Sequence, residues 1–224
     1  MDQLHQYLMY SHIAAGALAL LSGLVAMVAR KAPGLHVLAG KTFYYGMMWV
    51  SASAVISLLF FRFIPFLLVI AAFTFHLTFS GRRVMYRKLP GQVSWIDWAG
   101  ASTTLVAGIG IFGYGIWLIF TLPAFTPLMV LSLVFGLGLC HFAYSDMRTF
   151  RDAHLTDKMW WWYHHMTCMV GAYIAAVTAF AVFGAASALE GVPYAWLAWI
   201  LPGVVGGILN RRWVRSYKRK FRGA

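Results

Sequence analysis

Four histidines, His76, His141, His164 and His165, stand inside long apolar runs of this 224-residue chain. An ionisable side chain is costly to place in hydrocarbon, so each points to a ligand, a relay or a buried partner. His76 and His141 precede the basic residues Arg82 and Arg148, and His164 and His165 follow Lys158, always by six or seven positions. At about 1.5 Å per helical residue, all four lie roughly 8–11 Å inside one face of a bilayer, on three helices. A common depth is what a shared ligand requires. The segment His76-Leu77-Thr78-Phe79-Ser80 before Arg83 also echoes His141-Phe142-Ala143-Tyr144-Ser145 before Arg148. It reads as a weak repeat of a His, a Ser one turn later and an Arg at the membrane edge.

Two centres suit such a set. The expected one is a b-type haem with axial imidazoles from two helices. Gly81, Gly136 or Gly138 would make room for the ring, and Arg82, Arg83 or Arg148 would pair with the propionates. The alternative is a zinc or non-haem iron site in which His76, His141, His164 and His165 converge, joined by His36, Asp146 or Cys168. Neighbouring helical residues point about 100° apart, so one of His164 and His165 is expected to face the ligand shared with His76 or His141. Set against both centres is a structural role, in which the histidines cross-link helices or lie near the headgroups beside Trp160, Trp161, Trp162 and Tyr163.

Other candidates are less specific. His36 either joins the site or caps the loop after Pro33-Gly34. His12, with His5 nearby, falls at the opposite face and suits a quinone contact or helix packing. His154, between Asp152 and Asp157, reads as solvated. Asp97 is placed for proton transfer or simply at a helix N-terminus. Met166 and Met169 are thioether ligands or core filler.

The elements that must position these residues are membrane helices. With 61% hydrophobic and 11% charged residues, the chain has too little polar surface to cover a water-soluble globule. Apolar runs predict an all-α, polytopic membrane helix bundle of about seven transmembrane helices, with spans near 8–30, 37–61, 63–81, 96–120, 127–147, 159–186 and 194–210. They form a single domain followed by a basic tail, 211–224. In alternate connections every Lys and Arg but Arg62 falls on one side, which predicts the N-terminus outside and the C-terminus cytoplasmic. The net charge of +12 is then explained by topology and anionic lipid, with no nucleic acid among the partners. The first run has its basic residues after the apolar stretch, the wrong order for a cleaved signal. Cys140 and Cys168 both fall inside spans and do not form a secreted disulfide framework.

Two segments carry a resemblance. His12-x3-Gly16 with His36-x3-Gly40, and Trp162-Tyr163-His164-His165-Met166 running on to Met169-Val170-Gly171-Ala172-Tyr173, together with Ser145-Asp146-Met147-Arg148, resemble a bacterial family of predicted integral-membrane proteins of unknown function. That resemblance implies the fold and a bacterial inner-membrane location. The chain is more loosely similar to small b-type membrane cytochromes, although only one face is populated with histidines. It departs from ceramidase-type zinc amidohydrolases in lacking their late His-x3-His pair.

These observations make a membrane redox protein the expected function, with one b-type haem near the cytoplasmic face carrying electrons to or from a quinone or other redox partner. The alternatives are a zinc- or iron-dependent membrane hydrolase using Asp146 or Asp97 as proton acceptor, and a proton or cation transporter using its intramembrane histidines.

Overall fold

The structure, a computed structural model, describes residues 2–61, 64–89, 91–151, 158–185 and 190–222. Arg62 and His154, named above, lie outside them. Seven α-helices follow in order: α1 Asp2–Val28, α2 Leu35–Phe60, α3 Pro65–Arg83, α4 Trp95–Thr121, α5 Pro127–Arg151, α6 Trp160–Gly184 and α7 Leu197–Arg222. A 3-10 turn, Val84–Tyr86, extends α3, and the described residues contain no strand. Six helices, α1 to α6, are long and apolar enough to cross a bilayer, so this is a multi-pass membrane protein.

The seventh helix differs from expectation. Its apolar part ends at Leu209, after which Arg211, Arg212, Arg215 and Lys218 follow without a break in the helix. What the sequence suggests as a short span and a separate basic tail is therefore one helix. It lies antiparallel on α6, with Trp199 against Phe183 at one end and Tyr217 against Trp162 at the other.

Proline marks the helix starts. Pro65 and Pro127 open α3 and α5, where a missing backbone N–H costs nothing because first-turn donors have no partner inside the helix. Ser94 and Asp97 form a capping box at the start of α4, each side chain accepting from the other's backbone N–H. Gly34, at φ 109°, makes the tight turn into α2, in a backbone region that glycine enters without steric cost.

α3 is the hub, packed against α2, α4, α5 and α6, while α1 pairs with α2 and α4 with α5. Lipid tails are as apolar as leucine, so helices associate in a bilayer by close packing and internal polar contacts. Leu21, Phe120, Leu137 and Phe180 accordingly face outward, while Leu77, Leu139 and Ala172 are closed off inside. Close approach depends on glycine. A Cβ at Gly136 would stand 2.6 Å from the Phe112 nitrogen, and one at Gly81 2.8 Å from Cys168 Cβ. The room expected at these positions for a haem ring is taken up by the neighbouring helix.

Candidate functional site

At the basic end of the bundle, α3, α4, α5 and α6 bury a polar cluster around Asp146, which is 4% exposed. Ser80 Oγ donates to Asp146 Oδ2 at 2.5 Å, and His164 Nε2 lies 3.2 Å from Oδ1. The serine hydrogen is committed to the carboxylate, so Ser80 Oγ accepts from His164 Nε2–H at 2.8 Å. Cys168 Sγ is 3.5 Å from the same nitrogen. His76 approaches from α3 with Nε2 3.9 Å from Asp146 Oδ2. Its Nδ1 is 3.1 Å from Thr104 Oγ1, which itself donates to the Gly100 carbonyl. Thr104 must therefore accept from His76 Nδ1–H, which leaves the Nε2 lone pair toward the carboxylate.

Arg87 ties this cluster to a second one. Its guanidinium is 1% exposed and spans two carboxylates, with Nη2 3.7 Å from Asp146 Oδ1 and Nε 3.7 Å from Asp97 Oδ1. Nη1 donates to Thr149 Oγ1, and the Phe150 ring lies 4.6 Å away. Burial lowers the Arg87 pKa from its ordinary value, and the charges of Asp146 and Asp97 oppose that shift. Asp97 also takes a two-pronged pair from Arg83, with both bonds at 2.9 Å, the geometry in which arginine binds carboxylate most specifically.

A cleft opens beside the cluster, bounded by α1, α2, α6 and α7 and the end of α3. Met27, Phe43, Met166, Met169, Tyr173 and Trp213 supply apolar walls, and Lys31, Lys41 and Arg82 supply cations. Among the described residues, no carboxylate lines it. Its volume is about 150 Å³, comparable to a cavity that admits a benzene ring. A Cβ at Gly40 would meet nothing within 4 Å. The Lys31 ammonium, its pKa lowered by burial, donates to the Ala26, Met27 and Ala29 carbonyls at the end of α1.

His36 and His165 both line this cleft, and each is fixed in the same way. His36 Nδ1 donates to the Ala26 carbonyl at 2.9 Å, and His165 Nδ1 to the Gly81 carbonyl at 2.7 Å. Each imidazole therefore carries its lone pair on Nε2, the tautomer of a histidine prepared to ligate metal.

The histidines expected to share one ligand are thus divided. His76 and His164 meet at Asp146, and His165 and His36 line the cleft. His141 joins neither, being exposed on α5. It lies two residues from both Leu139 and Ala143, which are fully buried, and so points about 200° away from them around the helix. The repeat between α3 and α5 is one of sequence only, because the inward polar residue of α5 is Asp146. Of the expected propionate partners, Arg82 lines the cleft, Arg83 is held by Asp97, and Arg148 lies exposed on the last turns of α5. At the opposite end His12 bonds Ser53 and His5 bonds Ser57, two contacts that pin α1 to α2.

Sequence reasoning overlooked Arg87 and Thr104. Arg87 counts toward the topology bias like any other basic residue, and its burial follows only from the turn after α3. Thr104 is one of several hydroxyls in α4, and its spacing of seven from Asp97 is the one signal that places both on a single helix face. Among the described residues, no group of three His, Cys, Asp or Glu side chains is arranged to hold a metal ion; a haem needs only two protein ligands.

Fold and site together define a multi-pass helical membrane protein with a buried ionic cluster beside a basic-rimmed cleft. Comparison of the chain with protein-family models, curated proteins and solved structures finds no match.

Proposed function

We propose that this is a membrane redox protein that binds one b-type haem in the cleft, where His36 and His165 would hold its iron. The observation that carries this reading is the orientation of those two imidazoles, from different helices, toward one apolar cleft. Two Nε2 lone pairs repel an anion and suit a Lewis-acidic centre, whereas the three rim cations suit negative charge. An apolar disc with a metal at its centre and carboxylates at its edge meets both demands. Neither His76 nor His141 has such a setting, since the first is packed against Thr104 and Phe142 and the second faces outward.

When bound, a b-type haem supplies a one-electron couple. The chain's own residues do the rest. The main-chain carbonyls of Ala26 and Gly81 hold the two rings in one tautomer. Lys31, Lys41 and Arg82 offset the propionate charge, and the methionine and aromatic walls exclude water. As it stands the cleft is narrower than a macrocycle, so a haem would need the side flanked by Trp213 and Tyr217, whose helix packs chiefly on α6, to give way.

In this reading the cleft lies at the cytoplasmic face of a bacterial inner membrane, with α7 as a seventh crossing and the N-terminus outside, an orientation that the basic residues at this end support. The cations of α7 beyond Leu209 suit anionic headgroups. Electrons would pass between a cytoplasmic or quinol donor and an acceptor at this face.

The test is an optical spectrum of protein purified in mild detergent after haem-sufficient expression, oxidised and then reduced with dithionite, with iron measured on the same sample. Sharp reduced α and β bands, lost in His36→Ala and His165→Ala, are the expected result. A spectrum without a Soret band overturns the proposal.

A further inference from the structure

We infer that the C-terminal half of α7 is a lid on the cleft, opened by anionic lipid headgroups that bind its outer face. The lid stands on the packing of α7 alone; that it admits a macrocycle rests on the haem reading above.

α7 has two faces. Gly206, Asn210, Trp213 and Tyr217 recur at spacings of four, three and four, which is one stripe of a helix. All four turn inward: a Cβ at Gly206 would collide with Ile174, Asn210 reaches the Thr167 carbonyl, and Trp213 and Tyr217 line the cleft. At 100° per residue, Arg212, Arg215 and Arg219 lie roughly 140–200° around the helix from Asn210. All three are exposed, and α7 contains no acidic residue to neutralise them. A surface that attracts this stripe therefore draws the helix away from the cleft.

The two ends of α7 are held unequally. Trp199 packs edge-on against both Phe66 and Phe183, at 4.7 and 5.4 Å between ring centres. Just after it, Pro202 lies inside the helix and lacks the N–H that would bond back one turn, and a Cβ at Gly203 or Gly207 would meet nothing within 4 Å. Proline and glycine together make this the place where the helix can bend. Beyond the hinge the seat is imperfect. Asn210 is 6% exposed, its amide donates to the Thr167 carbonyl at 3.4 Å, and its Oδ1 is buried without a hydrogen-bond partner among the described residues. An unpaired buried acceptor opposes the closed position, and outward movement of the helix lets water reach it.

The partner of the outer face is an anionic phospholipid headgroup. The arginine stripe stands at the basic end of a membrane bundle, where headgroups are the neighbours, and a guanidinium matches phosphate in two-pronged geometry. Trp213 and Tyr217, on leaving the cleft, enter the interfacial layer that such rings favour. Each Arg near an anionic surface contributes a factor of about five. Three of them shift the balance about a hundredfold, enough to raise an open form from about 1% to about one half.

The experiment measures the distance between spin labels at Thr42→Cys and Ser216→Cys, two exposed positions on α2 and α7, in a full-length Cys140→Ser background. The haem-free protein is placed in nanodiscs of phosphatidylcholine alone or with phosphatidylglycerol. The expected result is one short distance in the neutral discs and an added longer one in the anionic discs. Replacing Arg212, Arg215 and Arg219 together by Gln removes the longer distance and keeps the short one, which also shows that the variant is folded. One distance distribution in both lipids, or a longer distance that the triple variant retains, overturns the lid. Haem added to the same discs separates the two readings: a Soret band with an immobile α7 leaves the haem reading standing without the lid, and a moving α7 with no Soret band leaves the lid without the haem.

Discussion

His164 and His165 are consecutive residues that serve different sites. His164 Nε2 lies 3.2 Å from the Asp146 carboxylate inside the bundle, and His165 lines the cleft while donating to the Gly81 carbonyl. The 100° step between neighbours on a helix is enough to direct one into the buried cluster and the other into the cleft. α6 is thereby the wall between the two sites, and its partner across that wall is the Ser80-Gly81 pair of α3.

Asp146→Ala is predicted to be among the most destabilising single changes in the protein. It leaves Arg87 buried with one of its two carboxylates gone and removes the acceptor of Ser80. Breaking a buried ion pair from one side typically costs about 3–5 kcal/mol. Unfolding in detergent should show a loss of that order for Asp146→Ala and a smaller one for Asp146→Asn, whose side chain keeps the shape and one acceptor oxygen. Equal stability of Asp146→Ala and wild type would remove the cluster's structural role.

Glycine substitutions should separate packing from cleft. Gly136→Ala puts a methyl group 2.6 Å from a backbone nitrogen of α4, and overpacking of this kind costs about 1–3 kcal/mol. Gly40→Ala meets nothing within 4 Å and should leave stability unchanged while reducing haem occupancy. Thermal melting paired with haem stoichiometry on the same samples checks both halves.

Cleft occupancy should be visible from the protein side. Trp162 and Trp213 line the cleft, so titrating haem into protein prepared without it should quench tryptophan fluorescence. His36→Ala and His165→Ala should weaken the quenching, and His141→Ala should not. Quenching that persists undiminished when both cleft histidines are replaced would mean that haem binds elsewhere.

The rim cations should contribute less. Single Lys41→Gln or Arg82→Gln changes remove charges in contact with solvent, and exposed ion pairs are worth about 0.2–1 kcal/mol. A haem dissociation constant raised by a factor of roughly 1.4 to 5 is expected, with the difference shrinking as salt is added.

The sequence by itself determined the solvent of this protein, its all-helical class and its succession of long apolar helices. Apolar runs of bilayer length and a near-complete segregation of Lys and Arg are properties of composition along the chain, read without knowing how helices pack. It also marked the end of the bundle where the buried polar cluster lies, since depth along a helix is residue count multiplied by rise. It did not determine which histidines meet. His76 and His141 share a depth and a local pattern, yet only His76 is enclosed, because azimuth depends on which face of each helix its neighbours cover. α5 turns Leu139, Ala143 and Asp146 inward and carries His141 outward. The presence of His36 and His165 in one cleft was equally out of reach, since it needs α1, α2, α6 and α7 to gather around one opening. Arg87 reads as a topology charge until the turn after α3 folds it between Asp97 and Asp146. Depth is a one-dimensional quantity that spacing supplies; partnership is set by helix rotation and neighbour choice, which only tertiary packing decides.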